Sequence, residues 1–175
     1  VDPRTGTTVG SVADQGPAEV AAAVARARRA FGSWGSLPYG ERTEHILRAR
    51  DLLLDRIDLM VDTIVSETGK LPGEAVMNEV LTACELIDYY ARHGHKALRP
   101  QQVTSGLLLH KRSARHYEPR GVVAVISPWN YPFVLALTPV VTALFAGNAV
   151  VLKPSEVTPL IGLAIGDVFR DVGGH

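Results

Sequence analysis

Val122-Val123-Ala124-Val125-Ile126-Ser127-Pro128-Trp129-Asn130-Tyr131-Pro132 is the stretch on which the fold turns. Its first part is a continuous, largely β-branched run, the pattern of a strand buried on both faces. Two prolines then bracket Trp129-Asn130-Tyr131 and restrict the backbone between them. From Pro132 to Phe145 the pattern predicts a helix, with Pro139 kinking it or marking its first turn. Gly147-Asn148 reads as its stop, and Ala149-Val150-Val151-Leu152 as a second buried strand. Thr158-Pro159 supplies an N-cap and a first helical residue. Ile161, Ala164, Ile165, Val168 and Phe169 form the stripe of the helix that follows. Strand, helix, strand, helix with short joints predicts parallel strands with crossover helices, an α/β fold.

Outward toward the N-terminus, Asp2-Pro3-Arg4-Thr5-Gly6 has turn chemistry, and Thr7 to Val12 reads as a short, weak strand. Pro17 opens a helix carrying Val20, Val24, Ala27 and Phe31, which ends at Gly32, Gly35 and Pro38. A second helix begins near Tyr39 and carries Ile46, Ala49, Leu53, Ile57, Met60 and Ile64 on one stripe as far as Gly69. A third carries Val76, Val80, Cys84, Ile87 and Ala91 and stops near Gly94. Three amphipathic helices in series make a layer that needs a flat surface to cover. After Pro100, Leu107 to Glu118 reads as an extended, partly exposed segment.

The 175 residues are 46% hydrophobic and 21% charged, enough apolar material for a packed core and too much for a disordered chain. Eighteen Lys+Arg balance eighteen Asp+Glu, so the formal net charge is +0 and no global electrostatic footprint points to nucleic acid or an anionic membrane. Prolines and Gly147 break the longest apolar stretch well short of a membrane span. Val1-Asp2-Pro3-Arg4 does not read as a signal peptide, having no charged-then-apolar pattern. Cys84 is the single cysteine, which fits a reducing, cytoplasmic setting. The missing initiator Met and the closing Asp171 to His175 suggest cut ends.

In an open parallel sheet, ligands bind beyond the carboxyl ends of the strands. Two segments fall there: Ser127-Pro128-Trp129-Asn130-Tyr131-Pro132 and Lys153-Pro154-Ser155-Glu156. Asn130 offers an uncharged NH₂ donor suited to a developing oxyanion. Lys153 and Glu156 offer a cation and a carboxylate, a set suited to two ribose hydroxyls. Read from the residues alone, two accounts stand side by side: ligand loops, or proline-rich turns with a solvated ion pair.

The same residues carry a family resemblance. Glu118-Pro119-Arg120-Gly121 through Pro132 resembles the first nucleotide-domain strand and loop of the NAD(P)-dependent aldehyde dehydrogenases. Ala146-Gly147-Asn148 through Thr158-Pro159 is similar to the next strand and the cofactor-ribose loop. Glu67-Thr68-Gly69-Lys70 resembles a helix end of that family, and Asp2 to Gly6 its opening turn. The family lacks the ordinary GxGxxG loop, and so does this chain. The resemblance implies that residues 1–175 are the N-terminal part of a Rossmann-like NAD(P)-binding domain: a helical layer plus the first parallel βα units, without the catalytic domain.

It implies site roles as well. Asn130 corresponds to the side-chain donor of the oxyanion hole. Lys153, Pro154, Ser155 and Glu156 form the ribose loop, and Ile126, Ser127, Pro128, Trp129 and Asn130 itself line the cofactor cleft. Glu156 implies preference for NAD over NADP, because a carboxylate beside the 2′-hydroxyl repels a 2′-phosphate; dual use stays open. Residues 103–118 correspond to a subunit-bridging strand, hence a homo-oligomer at full length. The nucleophilic cysteine and the general-base glutamate of the family fall beyond His175, so the segment alone is expected to be inactive. Tyr131 and Phe133 suggest an apolar mouth for the aldehyde. The rival account is a naturally short, non-catalytic nucleotide-binding or interaction protein with the same fold.

Other candidates fit less well. Cys84 sits on an apolar stripe and reads as core. Ile64 to Lys70 ends like a phosphate-binding loop, but Ile64 and Leu71 stand where Gly and Ser or Thr belong. His93 and His95 lack the further ligands of a metal site and read as a solvated helix end. His110, Lys111, Arg112, Arg115 and His116 form a basic run suited to a strand edge or subunit contact.

Overall fold

A computed structural model describes residues 1–104, 106 and 111–172. Its helices are α1 (Pro17–Trp34), α2 (Tyr39–Asp55), α3 (Ile57–Thr68), α4 (Pro72–Ala75), α5 (Thr82–Leu98), α6 (Val134–Phe145) and α7 (Pro159–Asp171). A π-helical turn, Val76–Leu81, joins α4 to α5. The strands are β1 (Gln101–Val103), β2 (Ser113–Arg115), β3 (Val122–Ile126) and β4 (Ala149–Lys153). β3 and β4 pair in parallel, with Val122 opposite Ala149 and Ile126 opposite Lys153. Helix α6 connects them and packs on both. The mixed α/β architecture with a small parallel sheet is the one that the β-branched runs and their short joints predict.

The helical layer supplies most of the core. Ile46, Ala49 and Leu53 of α2, Met60 and Ile64 of α3, and Ala83 and Ile87 of α5 are all buried. They meet Phe133, Ala136, Leu137 and Val141, and Ile161 and Ile165 of α7. Helix α6 is apolar nearly all round, because it is covered by β3 and β4 and by α2 and α5. Trp34 closes α1 onto it, its indole N–H donating to the Leu144 carbonyl at 3.1 Å.

Several expectations are corrected. Thr7 to Val12 forms no strand and is largely exposed: the Thr7 carbonyl accepts from the Asp2 amide at 2.8 Å to close the opening turn, and no ladder with another strand follows among the described residues. The stripe from Tyr39 to Gly69 is two helices: Arg56, at φ −107° and ψ 24°, breaks it. The break lets α2 pack on α5 and α6 while α3 turns toward α7, and Arg56 ion-pairs with Asp171 at 2.7 Å. The third helix does not stop near Gly94. There glycine serves packing, because a Cβ would collide with the Tyr39 hydroxyl, which donates to the Tyr90 carbonyl at 2.5 Å. β3 is not buried on both faces: Val125 is buried, whereas Ala124 and Ile126 are exposed, the alternation of a strand covered on one face.

Thr158 and Pro159 stand at the expected N-cap and first helical position of α7, but the expected capping bond is not made. The Thr158 hydroxyl is buried and makes no hydrogen bond among the described residues. The stop after α6 holds, with Gly147 in the left-handed region at φ 87°. Asn148 does more than end the helix: its Oδ1 accepts from the Arg120 and Gly121 amides and its Nδ2 donates to the Ala143 carbonyl. In 103–118, β2 pairs antiparallel with β1, Val103 facing Ser113. Ser105, Leu107 to His110 and Gly173 to His175 lie outside the described residues, and with them part of the predicted extended segment.

Candidate functional site

The parallel register builds the site. Because Ile126 stands opposite Lys153, the two strands end together, and their loops leave side by side. The Ser127 amide donates to the Lys153 carbonyl at 3.1 Å, one further rung that ties the loops where they diverge. Beyond it, Ile126 is 77% exposed and Trp129 59%, and Pro128 and Asn130 are exposed too. The Asn130 carboxamide makes no hydrogen bond among the described residues, so its donor is open to a ligand. Ser127 is buried, and its hydroxyl has no hydrogen-bond partner among the described residues.

Lys153 and Glu156 pair across their turn at 2.7 Å, both exposed. The ammonium holds the Glu156 carboxyl below its usual range, so it is ionised at neutral pH. Ser155 is buried, and its hydroxyl accepts from the Val157 amide at 3.2 Å, setting the turn. Pro154 lies on Gly162 of α7, where a Cβ would overlap the proline ring. Glycine therefore lets this loop seat against its helix, a constraint the sequence signals only as a glycine inside a helical pattern.

Both helices behind the loops begin on a buried carboxylate. Glu79 is fully buried, and its Oε2 accepts from the Phe133 amide at 2.8 Å and the Val134 amide at 3.4 Å. Glu67 does the same for α7, accepting from the Leu160 and Ile161 amides at 2.8 and 2.9 Å. Burial pushes the Glu67 carboxyl up, and the two amides pull it partly back. The amides at these helix starts thus already have carboxyl acceptors, and neither start is free to receive a phosphate in the way of an ordinary dinucleotide loop. Sequence reasoning did not find the two braces. The available signal was a carboxylate on an apolar stripe, Glu67 following Met60 and Ile64, and Glu79 beside Val76 and Val80.

Lys70 completes the arrangement. Its Nζ lies 2.5 Å from Glu79 Oε1 and 3.7 Å from the centre of the Tyr131 ring. Tyr131 is thereby turned onto the lysine, and Phe133 is fully buried in the core. The apolar mouth expected from these two rings is therefore not formed by Phe133, whose side chain α6 commits to packing.

Cys84 is buried in the core, and burial pushes its thiol up to about 11. Mass spectrometry of the folded protein after iodoacetamide treatment at pH 8 should show Cys84 alkylated ~100-fold more slowly than a free thiol, since only the thiolate attacks. Alkylation at the free-thiol rate would return Cys84 to the candidate nucleophiles. His93 and His95 lie against the rings of Tyr89 and Tyr39. Two concavities lie elsewhere. One of about 560 Å³ is bordered by Tyr39, Arg42, Arg99 and Asn148, and one of about 730 Å³ by α1, β4 and α7. Neither includes Asn130, Lys153 or Glu156, which stand on an open face at the strand ends.

Comparison with known proteins gives this geometry its family. Residues 1–174 match the model of the aldehyde dehydrogenase family. A 4,4'-diapolycopene aldehyde oxidase of Methylomonas sp. is 39% identical over 171 residues, covering 97% of this chain and 32% of that protein. A Mycobacterium tuberculosis aldehyde dehydrogenase, solved in complex with NAD+, superposes with a TM-score of 0.90 at 37% identity, covering 98% of this chain and 35% of that one. An E. coli NADP-dependent enzyme superposes equally well, with a TM-score of 0.90 at 30% identity, again covering 98% and 35%. The chain spans about a third of the length of these relatives. With its parallel pair, its two loops and nearly its full length matched, the chain belongs to the aldehyde dehydrogenase family.

Proposed function

We propose that this chain is the N-terminal, cofactor-binding part of an NAD(P)-dependent aldehyde dehydrogenase, which oxidises an aldehyde and water to a carboxylic acid. The observation that carries the reading is the Ile126–Lys153 register, which sets the Asn130 loop beside the Lys153–Glu156 loop in a member of this family. Asn130 Nδ2 donates to the aldehyde oxygen as that oxygen gains charge, stabilising the adduct more than the substrate. The nucleophile and the deacylating base come from parts of the protein outside the described residues.

The residues present suit a nicotinamide dinucleotide. Glu156 accepts and Lys153 donates, the complement of a vicinal diol. The buried hydroxyls of Ser127 and Thr158 lie at the ends of the same two loops with hydrogen-bonding capacity unused. When bound, NAD(P)+ supplies the hydride acceptor. Ile126 and Trp129 offer apolar surface to it, and Pro128, Pro154 and Ser155 shape the loops that hold it. We place the protein in the cytoplasm, a setting that the reduced Cys84 suits, and assign 103–118 to contact between subunits.

Cofactor choice tests the loop. Glu156→Gln removes a charge and keeps the shape. Like charges repel only weakly across a solvated cleft, so the NADP+/NAD+ ratio of kcat/KM should rise about fivefold. Lys153→Ala should raise KM for both cofactors about tenfold. Steady-state kinetics of the full-length protein with both cofactors reads these effects. Unchanged discrimination in Glu156→Gln would remove Glu156 from the ribose site. Tight nucleotide binding with no turnover on any aldehyde would favour the non-catalytic binding protein.

A further inference from the structure

We infer that Lys70 and Glu79 are positioning residues that hold Asn130 in its oxyanion-binding place, an inference that rests on the reading of Asn130 given above. Asn130 lies on an exposed loop, and its side chain makes no hydrogen bond among the described residues to fix it. What holds the loop are its two ends. The near end is the Ser127 amide on the Lys153 carbonyl. The far end is one buried ion pair: Glu79 takes the Phe133 and Val134 amides, and Lys70 takes the face of Tyr131, the residue next to Asn130. Lys70 is only 12% exposed and Glu79 wholly buried, so the clamp is fixed by packing as well as by charge.

Two features favour a positioning role over a stabilising one. A buried ion pair is a poor source of stability, because desolvating both charges offsets their attraction, and apolar replacements of the same volume often do as well. Glu79 also sits within the π-helical turn Val76–Leu81. A π turn inserts a residue and weakens the helical ladder, and such turns occur frequently at functional sites. Here the turn delivers Glu79 to the start of α6, beside the buried Val80, within an otherwise continuous helix.

The test is a double-mutant cycle in the full-length protein, read by single-turnover formation of reduced cofactor. Displacing a catalytic group by about 1 Å can cost ~10²-fold, so Lys70→Met should slow the single-turnover rate ~10- to 100-fold with cofactor KM within about twofold. In an Asn130→Ala background the same substitution should cost less than about twofold, because the group it positions is gone. Equal cost in both backgrounds would overturn the inference and leave the Asn130 reading intact. No cost from Asn130→Ala alone would overturn both. Should Lys70→Met not fold, the ring contact carries the test: Tyr131→Leu should fall about tenfold and Tyr131→Phe much less, since the ring face meets the ammonium. Equal rates for those two variants would contradict the clamp. Amide hydrogen exchange gives a readout apart from activity. The peptide spanning 127–134 should exchange faster in Lys70→Met, with the peptide spanning 159–171 unchanged, and unaltered protection of 127–134 would count against it.

Discussion

On the function proposed above, Asn130→Ala should lower kcat of the full-length protein by about 10²–10³-fold while leaving cofactor KM nearly unchanged, the usual effect of removing one oxyanion donor. The reason lies in the order of events. The aldehyde oxygen is neutral on binding and gains charge only as the nucleophile adds, so a donor aimed at it acts mainly in the transition state. The Asn130 carboxamide is free of other bonds among the described residues, and no competing acceptor has to be given up. Asn130→Asp is a sharper variant, because it replaces the donor with a carboxylate that repels the developing charge; its loss should match or exceed that of the alanine. Steady-state kcat and KM with single-turnover rates separate chemistry from binding. A change confined to cofactor KM would move Asn130 from the oxyanion site to the cofactor site.

Glu67→Ala should loosen the start of α7 by about 2–4 kcal/mol. The substitution strips the acceptor from the Leu160 and Ile161 amides, and a buried donor left unpaired costs about 1–3 kcal/mol. Thr158 does not compensate, because its hydroxyl is not in capping geometry. Amide exchange over 159–171 reads the opening directly, and unchanged protection there would refute the brace. The effect has a pH signature. Burial raises the Glu67 carboxyl above its ordinary value of 4.5, so the folded chain binds this proton more tightly than the unfolded one. Its contribution therefore makes stability decline as pH rises from that value through the raised folded one. Glu67→Gln keeps one acceptor and cannot ionise, so it should cost less than the alanine and flatten that part of the profile.

The carboxylate braces mark the boundary of what pattern reading can reach. Pro17 at the start of α1 and the β-branched runs of β3 and β4 announce their elements through local chemistry: a fixed φ, and side chains that suit a pleated surface. Asn130 and the Lys153–Glu156 pair were legible for a related reason, since a loop after a parallel strand has a known place in space before any contact is drawn. Where the chain competes with itself, local signals lost. The stripe from Tyr39 to Gly69 has one continuous period, yet packing against two different partners breaks it at Arg56. Thr158 carries the cap signature, yet a glutamate far away in sequence takes the amides. Gly94 resembles a stop, yet it makes room for Tyr39.

The residues alone thus established an α/β chain with two parallel strands, a helical layer, and two loops side by side at the strand ends. Tertiary structure decided what holds those loops: Glu67 and Glu79 at the helix starts, Lys70 on Tyr131, Asn148 beneath β3, and Gly162 against Pro154. The division is physical. Periodicity and turn chemistry act between near neighbours and are written into the sequence order. A buried carboxylate, by contrast, takes its role from whichever unpaired amides the fold brings to it, and no local pattern names them.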